Sequence, residues 1–144
     1  MSGELKAKAL RLLARREHSR AELARKLSAE PAADSLDAVL DQLEAAGLLS
    51  DRRYAESLVA ARSARYGSAR LRQDLRSRGI ADEIIAAALS GEAGDEFARA
   101  RHIWQRKFGR MPADRADYAR QTRFLQGRGF AGDVIRQVLK GKDA

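Results

Sequence analysis

The chain carries the same block of sequence twice, fifty positions apart, within its 144 residues. Residues 78–89 align with residues 128–139 without a gap, and each isoleucine and leucine of the first block meets an apolar residue of the second. Both blocks open with an Arg-Gly pair, Arg78-Gly79 and Arg128-Gly129. Self-similarity at such a period is typical of folds built from repeated supersecondary units. We therefore expect tandem repeats rather than one irregular domain.

Apolar residues recur at helical spacing along almost the whole chain, which predicts a series of short helices. The clearest stripes lie within residues 5–13, 36–43, 84–89 and 134–139. Aromatic residues make up only 6% of the chain and β-branched runs are nearly absent, so strands are not expected. The predicted fold class is all-α, with nine helices.

Local signals mark several helix ends. Ser19 and Glu22 have the spacing of a capping box, in which each side chain bonds a free backbone N–H at the other position. Pro112 suits a first helical turn and predicts the start of the eighth helix. Glycines stand near predicted helix ends and are interpreted as terminators, at Gly47, Gly67, Gly79 and Gly129.

Nine helices and an internal repeat predict three tandem three-helix units. We place them at residues 1–51, 52–93 and 94–144. Units of this size are near the lower limit at which a core is stable alone, so neighbouring units must support one another. We expect the three repeats to form an elongated, curved array.

Positive charge is concentrated in the second and third repeats. The whole chain has 28 Lys and Arg against 20 Asp and Glu, a formal net charge of +8. Residues 1–51 carry 8 basic and 9 acidic side chains, whereas residues 52–91 carry 8 and 4, and residues 92–144 carry 12 and 7. This imbalance favours a polyanionic partner, either nucleic acid or an assembly built on it.

The chain has no cysteine, which excludes disulfides, thiolate metal sites and cysteine nucleophiles. Its N-terminal residues form no apolar signal segment, and no apolar run is long enough to cross a bilayer. These features predict a cytoplasmic protein that does not enter the membrane and holds no metal or cofactor.

Two groups of arginines are the candidate contact residues. The first group is opposed locally only by Asp74, and it comprises Arg62, Arg65, Arg70, Arg72, Arg76 and Arg78. The second group lies on the predicted eighth helix and its exit and comprises Arg115, Arg120, Arg123 and Arg128, of which the last three are the candidate contacts. Residues three or four positions apart share a helix face, so each group can present several charges together. The competing interpretations are a solvated helix face and compensation of a helix dipole.

Nothing in the sequence indicates an active site. His18 and His102 lack the spacing of metal ligands, and the glycines do not form a phosphate-binding loop. We therefore do not expect an enzyme. Trp104 and Phe108 could stack on bases, but their helical spacing favours a core position. Tyr66 is predicted to be nearer the surface than Tyr54.

Three ordered blocks of the sequence resemble the signature of the RecX family of bacterial recombination regulators. The first block lies within residues 12–27, and the second runs from residues 50–55 (SDRRYA) through Tyr66-Gly67 to Gly79. The third is residues 124–130 (FLQGRGF). The resemblance covers nearly the whole chain, and the ordered combination is more specific than any one block.

This resemblance implies three tandem three-helix repeats with no catalytic activity of their own. It implies binding to the RecA recombinase, in the groove of the filament that RecA forms on single-stranded DNA. The expected effect is to dampen strand exchange, ATP hydrolysis and LexA cleavage in DNA repair and the SOS response, whereas some members of the family instead support RecA function. Direct DNA binding is a further property of the family's basic repeats. Under this hypothesis a monomer presents Arg70, Arg72, Arg76, Arg120, Arg123 and Arg128 to the groove.

Two other functions compete with this hypothesis. Three-helix units with basic second helices resemble helix-turn-helix modules, which would make the chain a stand-alone DNA-binding protein. The sequence offers no dimerisation segment or readout helix rich in Asn and Gln to support that function. The other candidate is an adaptor for a different acidic protein, which would bind without any nucleoprotein filament.

Overall fold

The computed structural model describes residues 2–31, 33–93 and 95–140, and all regular structure in these ranges is helical. The helices are α1 Ser2–Arg15, α2 Arg20–Leu27, α3 Leu36–Ala45, α4 Asp51–Arg62, α5 Ser68–Ser77, α6 Asp82–Ala93, α7 Glu96–Lys107, α8 Arg115–Gly127 and α9 Gly132–Leu139, with one 3₁₀ turn at Ala33–Ser35. The all-α prediction is confirmed. The predicted third repeat, 94–144, includes position 94 and positions 141–144, which lie outside the described residues.

The helices pack into two compact units. The first unit comprises Met1–Ser57 and Leu75–Ile85, and the second comprises Leu58–Asp74 and Ala86–Ala144. Helices α4, α5 and α6 therefore contribute residues to both units. The repeat boundaries inferred from the sequence stay predictions.

The core of the first unit is made of leucines from α1, α2 and α3 with the turn that follows them. Its buried residues are Leu5, Ala9, Leu23, Leu27, Val39, Leu40, Leu43 and Leu49. The turn after α3 is closed by Gly47 at φ 76, and the backbone N–H groups of Leu48 and Leu49 both donate to the carbonyl of Leu43. This left-handed C-terminus is the geometry predicted for Gly47, and it directs the chain back so that Leu49 enters the core.

The core of the second unit is formed by α7, α8 and α9. It contains Ala100, Trp104, Leu125, Phe130, Ile135, Val138 and Leu139. The indole N–H of Trp104 donates to the side-chain oxygen of buried Gln121 at 2.7 Å, so its one polar atom is satisfied. The preference for a core position of Trp104 over a base-stacking platform is confirmed.

The two sequence blocks fold alike. Gly79 and Gly129 both have positive φ, at 80° and 92°. The helices that follow them, α6 and α9, begin at positions 82 and 132, which are also fifty residues apart. The aligned apolar residues share their burial, for example Leu75 with Leu125 at 0% exposure. The internal repeat in the sequence is therefore a structural repeat.

One capping prediction is half right. The Ser19 side chain accepts a hydrogen bond from the backbone N–H of Glu22 at 3.0 Å, as expected of an N-cap. The Glu22 carboxylate, by contrast, bonds the guanidinium of Arg16 at 2.5 and 3.1 Å and lies 3.4 Å from Lys26. A charged partner on the preceding turn thus replaces the reciprocal half of the capping box.

The predicted start of the eighth helix at Pro112 is wrong. Helix α8 begins at Arg115, and Asp114 is its N-cap, accepting from the backbone N–H of Asp117 at 2.8 Å. The Asp117 carboxylate reaches back to the backbone N–H of Ala113 at 3.0 Å. This pair of acidic caps satisfies the free backbone donors better than a proline can, so the helix begins three residues later.

Candidate functional site

The start of α2 is held by two elements that come later in the chain. The Ser19 hydroxyl donates to the carbonyl of Arg78 at 3.1 Å, and the backbone N–H of Arg20 donates to the Asp51 carboxylate at 2.8 Å. A Cβ on Gly79 would lie 2.6 Å from the Cβ of Ala21, so only glycine allows this approach. We call this contact the first joint.

The start of α5 is held in the same way by the next repeat. The backbone N–H of Gly67 donates to the carbonyl of Arg128 at 2.8 Å, and that of Ala69 donates to the carbonyl of Gly129 at 3.2 Å. The backbone N–H of Ser68 donates to the Glu96 carboxylate at 3.3 Å. We call this contact the second joint. Like the first joint, it combines an Arg-Gly turn with an acidic residue at the start of a later helix, Asp51 of α4 in the first joint and Glu96 of α7 in the second.

Gly67 is needed at the second joint for space, not for a left-handed backbone. A Cβ at this position would lie 2.6 Å from the carbonyl carbon of Gly129 and 2.7 Å from the ring of Phe130. The φ angle of Gly67 is not positive, unlike those of Gly47, Gly79 and Gly129. Its interpretation as a simple helix terminator is therefore replaced by a close approach between the α4–α5 connection and the α8–α9 turn.

Three of the candidate arginines converge on the ring of Tyr66. The guanidinium carbons of Arg70, Arg128 and Arg65 lie 4.6, 5.7 and 5.9 Å from the ring centroid. Arg99 of α7 holds this segment in place by donating to the carbonyls of Ser63 at 2.8 Å and Tyr66 at 3.1 Å. Tyr66 is half-buried and Tyr54 is buried, so the predicted order of their exposure is confirmed.

A second set of cations surrounds the neighbouring aromatic pair. Phe108 and Phe124 pack edge to face with centroids 5.5 Å apart. Lys107 and Arg128 lie 5.4 and 5.1 Å from the Phe124 ring, and Arg120 lies 5.3 Å from the Phe108 ring. Together with the cations at Tyr66 they form one cation–ring cluster, which comprises Arg65, Tyr66, Arg70, Lys107, Phe108, Arg120, Phe124 and Arg128.

Beside this cluster lies a cavity of about 470 Å³ with a cationic lining. Its lining residues are Ala64, Arg65, His102, Ile103, Arg106, Lys107, Phe124 and Arg128. No described carboxylate lines it. The adjoining depression contains both Asp95 and Arg99, so its charge is mixed. We call the first of these the cationic cavity.

Other candidate arginines are engaged with carboxylates or hydroxyls. Arg62 donates to Asp74 at 2.9 Å, and Arg70 lies 3.6 Å from the same carboxylate. Arg78 donates to the hydroxyl of buried Tyr54 at 2.9 Å. These contacts hold side chains between helices, which gives Arg62 and Arg78 a structural role.

The exposed candidates differ in what they contact. Arg76 donates to Asp82 at 3.0 Å. Arg120 donates to Asp117 at 2.5 Å. The pKa of the Asp117 carboxyl is lowered, first by the hydrogen bond from the backbone N–H of Ala113 and second by this guanidinium. Arg72 and Arg123 are exposed and make no ion pair or hydrogen bond through their guanidinium groups with any described residue.

Sequence reasoning did not select Arg106 or Lys107. They occupy the last turn of α7, where cations are explained by the helix dipole, so no local signal separated them from that ordinary role. His102 is exposed beside them, and His18 is buried. The described residues contain no group of His, Cys, Asp and Glu that could hold a metal ion. Among the described residues, every helix is too short or too polar to span a bilayer.

Comparison with protein families matches three consecutive parts of the chain. Residues 6–43, 50–89 and 94–139 match the first, second and third three-helix domains of RecX. The chain belongs to the RecX family. The prediction of three tandem three-helix repeats is confirmed by this match, as is the resemblance seen in the sequence.

Individual relatives agree with the family match. The regulatory protein RecX of Leptothrix cholodnii is 51% identical over 142 residues, which cover 96% of this chain and 89% of that protein. The regulatory protein RecX of Ralstonia nicotianae is 48% identical over 143 residues, covering 97% and 89%. Both relatives are named regulatory proteins.

Solved structures support the fold. The crystal structure of RecX from Lactobacillus salivarius superposes with a TM-score of 0.85 at 22% identity, covering 96% of this chain and 94% of that one. A second crystal structure, of a regulatory protein RecX, has a TM-score of 0.81 at 21% identity and covers 98% and 75%. The three-helix domains are thus kept at low sequence identity.

Proposed function

We propose that this chain binds RecA and the filament that RecA forms on single-stranded DNA, and that it inhibits the recombinase, ATPase and LexA-cleavage activities of RecA. The proposal rests on membership in the RecX family, whose relatives are named regulatory proteins. It places the chain in the cytoplasm as a monomer acting in DNA repair and the SOS response. It assigns no catalytic step and no cofactor to the chain.

The observation that carries the proposal is a set of exposed cations, two of which contact no described carboxylate. Arg72 on α5 and Arg123 on α8 are the clearest members. Arg76 and Arg120 are exposed by more than half of their side chains, and each forms one ion pair. The Arg76–Asp82 pair is exposed on both sides, so Arg76 can exchange partners at small cost. Arg120 also lies over the Phe108 ring. Exposed cations of this kind suit the acidic surface of a nucleoprotein polymer.

The contact set is smaller than the one expected from the sequence. We propose Arg72, Arg76, Arg120 and Arg123 as filament contacts, with Arg65, Arg70 and Arg128 contributing through the cation–ring cluster. Arg62 and Arg78 are engaged inside the fold, so replacing them would report on stability rather than on binding. The second and third domains supply the contacts.

A mechanism of inhibition follows from having two basic domains in one chain. If each domain contacts a different RecA protomer, the chain fixes the relative orientation of the two protomers. A filament whose ATP cycle requires that orientation to change would then stall, because the bound chain favours one arrangement over the others. Inhibition of ATP hydrolysis is therefore the expected primary effect.

The decisive experiment is a titration of the chain into RecA ATPase activity, with and without single-stranded DNA. The test variant is R72E/R123E, because these two side chains have no described partner whose loss would disturb the fold. The matched control is R11E/R25E, which makes the same change of charge at two exposed positions of the first repeat. We expect the wild type and the control to inhibit DNA-dependent ATP hydrolysis at similar concentrations. The test variant should require at least about tenfold more protein for the same inhibition.

Salt should weaken inhibition by the wild type more than inhibition by R72E/R123E, since screening acts on exposed charges. Equal inhibition by the test variant and the control would contradict the contact assignment. Tight binding to duplex DNA with no effect on RecA would favour the stand-alone DNA-binding alternative. Inhibition at strongly substoichiometric amounts would indicate capping of filament ends, and inhibition near saturation would indicate occupation of the groove.

A further inference from the structure

The cationic cavity contains four positive charges that no described carboxylate neutralises. Arg65, Arg106, Lys107 and Arg128 line it, and none of them forms an ion pair with a described residue. Arg65, Lys107 and Arg128 contact aromatic rings, and Arg128 also donates to the backbone carbonyl of Arg65 at 3.3 Å. Like charges gathered in one depression repel one another, and an anion that enters it relieves this repulsion.

The helix dipole does not account for this gathering of charge. It explains the two cations in the last turn of α7, Arg106 and Lys107. Arg65, however, comes from the connection between α4 and α5, and Arg128 from the turn between α8 and α9. The second joint brings these connections together, since Gly67 donates to the carbonyl of Arg128. Three separate elements therefore supply charge to one cavity.

The cavity also has an apolar side. Ala64, Ile103 and Phe124 line it, and the latter two are half-buried. A small inorganic anion would leave these surfaces in water. A ligand that carries both a phosphate and a flat apolar ring system would cover the cationic and the apolar parts together.

We propose that the cationic cavity binds one nucleotide unit, with its phosphate on Arg65 and Arg106 and its base against Phe124. Arginine suits this phosphate role because its planar group can form two parallel hydrogen bonds to phosphate oxygens. The volume, about 470 Å³, lies in the range of cavities that hold small ligands. The inference deepens the proposed function by naming a direct contact to nucleic acid, but it requires no RecA.

The same chemistry has two sources, a free nucleotide and a nucleotide within a single strand. An acidic peptide would satisfy the cations but would gain little from the apolar wall. A regular duplex keeps its bases stacked inside, so its phosphates could reach the cations while its bases could not reach Phe124. Each of these ligands therefore gives a different binding result.

The test measures fluorescence anisotropy of a labelled oligothymidine of about ten nucleotides, with no RecA present. The test variant is R65Q/R106Q, and the matched control is R110Q/R136Q, which removes two charges from exposed positions outside the cavity. We expect about a tenfold or greater loss of affinity for the test variant relative to the control. We expect F124L to lose about fivefold or more from the missing base contact, with its folding checked by the thermal transition.

A second readout locates the base directly. An oligonucleotide containing 5-iodouracil, irradiated in the complex, should crosslink to the peptide that contains Phe124 or to the one that contains His102. Competition by thymidine monophosphate at equal affinity would identify the free nucleotide as the ligand. Competition by single strands alone would identify the strand.

Several results would overturn the proposal. These are equal affinities of R65Q/R106Q and R110Q/R136Q, competition by a glutamate peptide as strong as by the oligonucleotide, or duplex binding as tight as single-strand binding. The inhibition of RecA ATPase by R65Q/R106Q is measured separately. If that inhibition persists while oligonucleotide binding is unchanged, the nucleotide site is wrong and the proposed RecA regulation stands.

Discussion

In the first joint, the start of α2 is held by Asp51 and by the turn at Arg78-Gly79; in the second, the start of α5 is held by Glu96 and by the turn at Arg128-Gly129. The acceptors correspond in the two joints, but the donor to the arginine carbonyl is the Ser19 hydroxyl in the first and the Gly67 backbone N–H in the second. The arginine side chains differ: that of Arg78 bonds a buried hydroxyl, whereas that of Arg128 lies between two rings and lines the cationic cavity.

This difference indicates how one copy of a repeat can acquire a binding site that the other copy lacks. The carbonyl of each arginine and the glycine beside it secure the joint, so these backbone features recur in both copies. The guanidinium is not needed for that purpose and is available for another role. In the first joint it stabilises the fold, and in the second we propose that it contacts a ligand.

The largest expected effect comes from the joint glycines. Gly129→Ala should lower the free energy of unfolding by about 3 kcal/mol, because its φ is 92° and its Cβ would lie 2.7 Å from the backbone nitrogen of Arg70. Gly79→Ala should cost about 2 kcal/mol, since its Cβ meets only the Cβ of Ala21. Urea unfolding measures both.

Gly47→Ala is the control for backbone strain. Its φ is 76°, but nothing lies within 4 Å of the added Cβ, so about 1 kcal/mol is expected. Three equal losses would mean that close approach at the joints contributes nothing beyond the left-handed backbone.

The next effect separates the two arginines. Arg78→Ala should destabilise the chain by about 1.5 kcal/mol by removing the bond to Tyr54, and it should leave oligonucleotide binding unchanged. Arg128→Ala should destabilise by about 1 kcal/mol through its lost ring contacts, while weakening oligonucleotide binding. Unfolding and anisotropy on the same preparations measure the two effects. Equal loss of binding in both variants would remove the distinction between the joints.

A pH dependence is expected at the first joint, where His18 precedes the N-cap of α2. Lys26 can only donate to Nε2, at 2.9 Å, so the proton sits on Nδ1, which donates to the carbonyl of Arg16 at 3.1 Å. Burial, more than the nearby charges, lowers the pKa of His18 below 6.5. Between that lowered pKa and pH 6.5 the unfolded chain therefore binds more protons than the folded chain. The stability that neutral His18 contributes is fully present above pH 6.5 and is lost as the pH falls below it.

Urea midpoints at about pH 7.5 and about pH 5 test this prediction. Glu22 stays ionised across this window, because the bond from Arg16 lowers its pKa to about 2. His18→Gln should flatten the dependence. An unchanged pH slope in that variant would assign the titration to another group.

The smallest effect is expected for the exposed ion pair between Arg76 and Asp82. Arg76→Gln should change stability by less than about 0.5 kcal/mol, since the two side chains are 58% and 74% exposed. The same variant should still weaken binding to the RecA filament. A clear loss of stability, seen by thermal unfolding, would move Arg76 from the contact set to the structural set.

Much of the fold was predictable because its signals are local. The apolar stripes, the cap at Ser19 and the left-handed glycines Gly47, Gly79 and Gly129 depend on neighbours in sequence. The start of α8 was not, because a proline and an aspartate two residues apart both favour helix starts and only the structure shows that Asp114 caps it. Local chemistry thus leaves such choices open.

The candidate site was predictable only in part. The basic stretch from Arg62 to Arg78 was visible in the sequence, but its division into engaged and exposed side chains was not. The meeting of Arg65 with Arg128, which are 63 positions apart, depends on the second joint. The contribution of Lys107 was hidden by its ordinary place in the last turn of α7.

The central claim is that exposed, unpaired arginines of the second and third domains bind the RecA filament. It is tested most directly by the affinity of labelled chain for preassembled RecA filaments on single-stranded DNA at low salt. We predict that R72E/R123E binds at least about tenfold more weakly than R11E/R25E. Equal affinity of these two variants would contradict it.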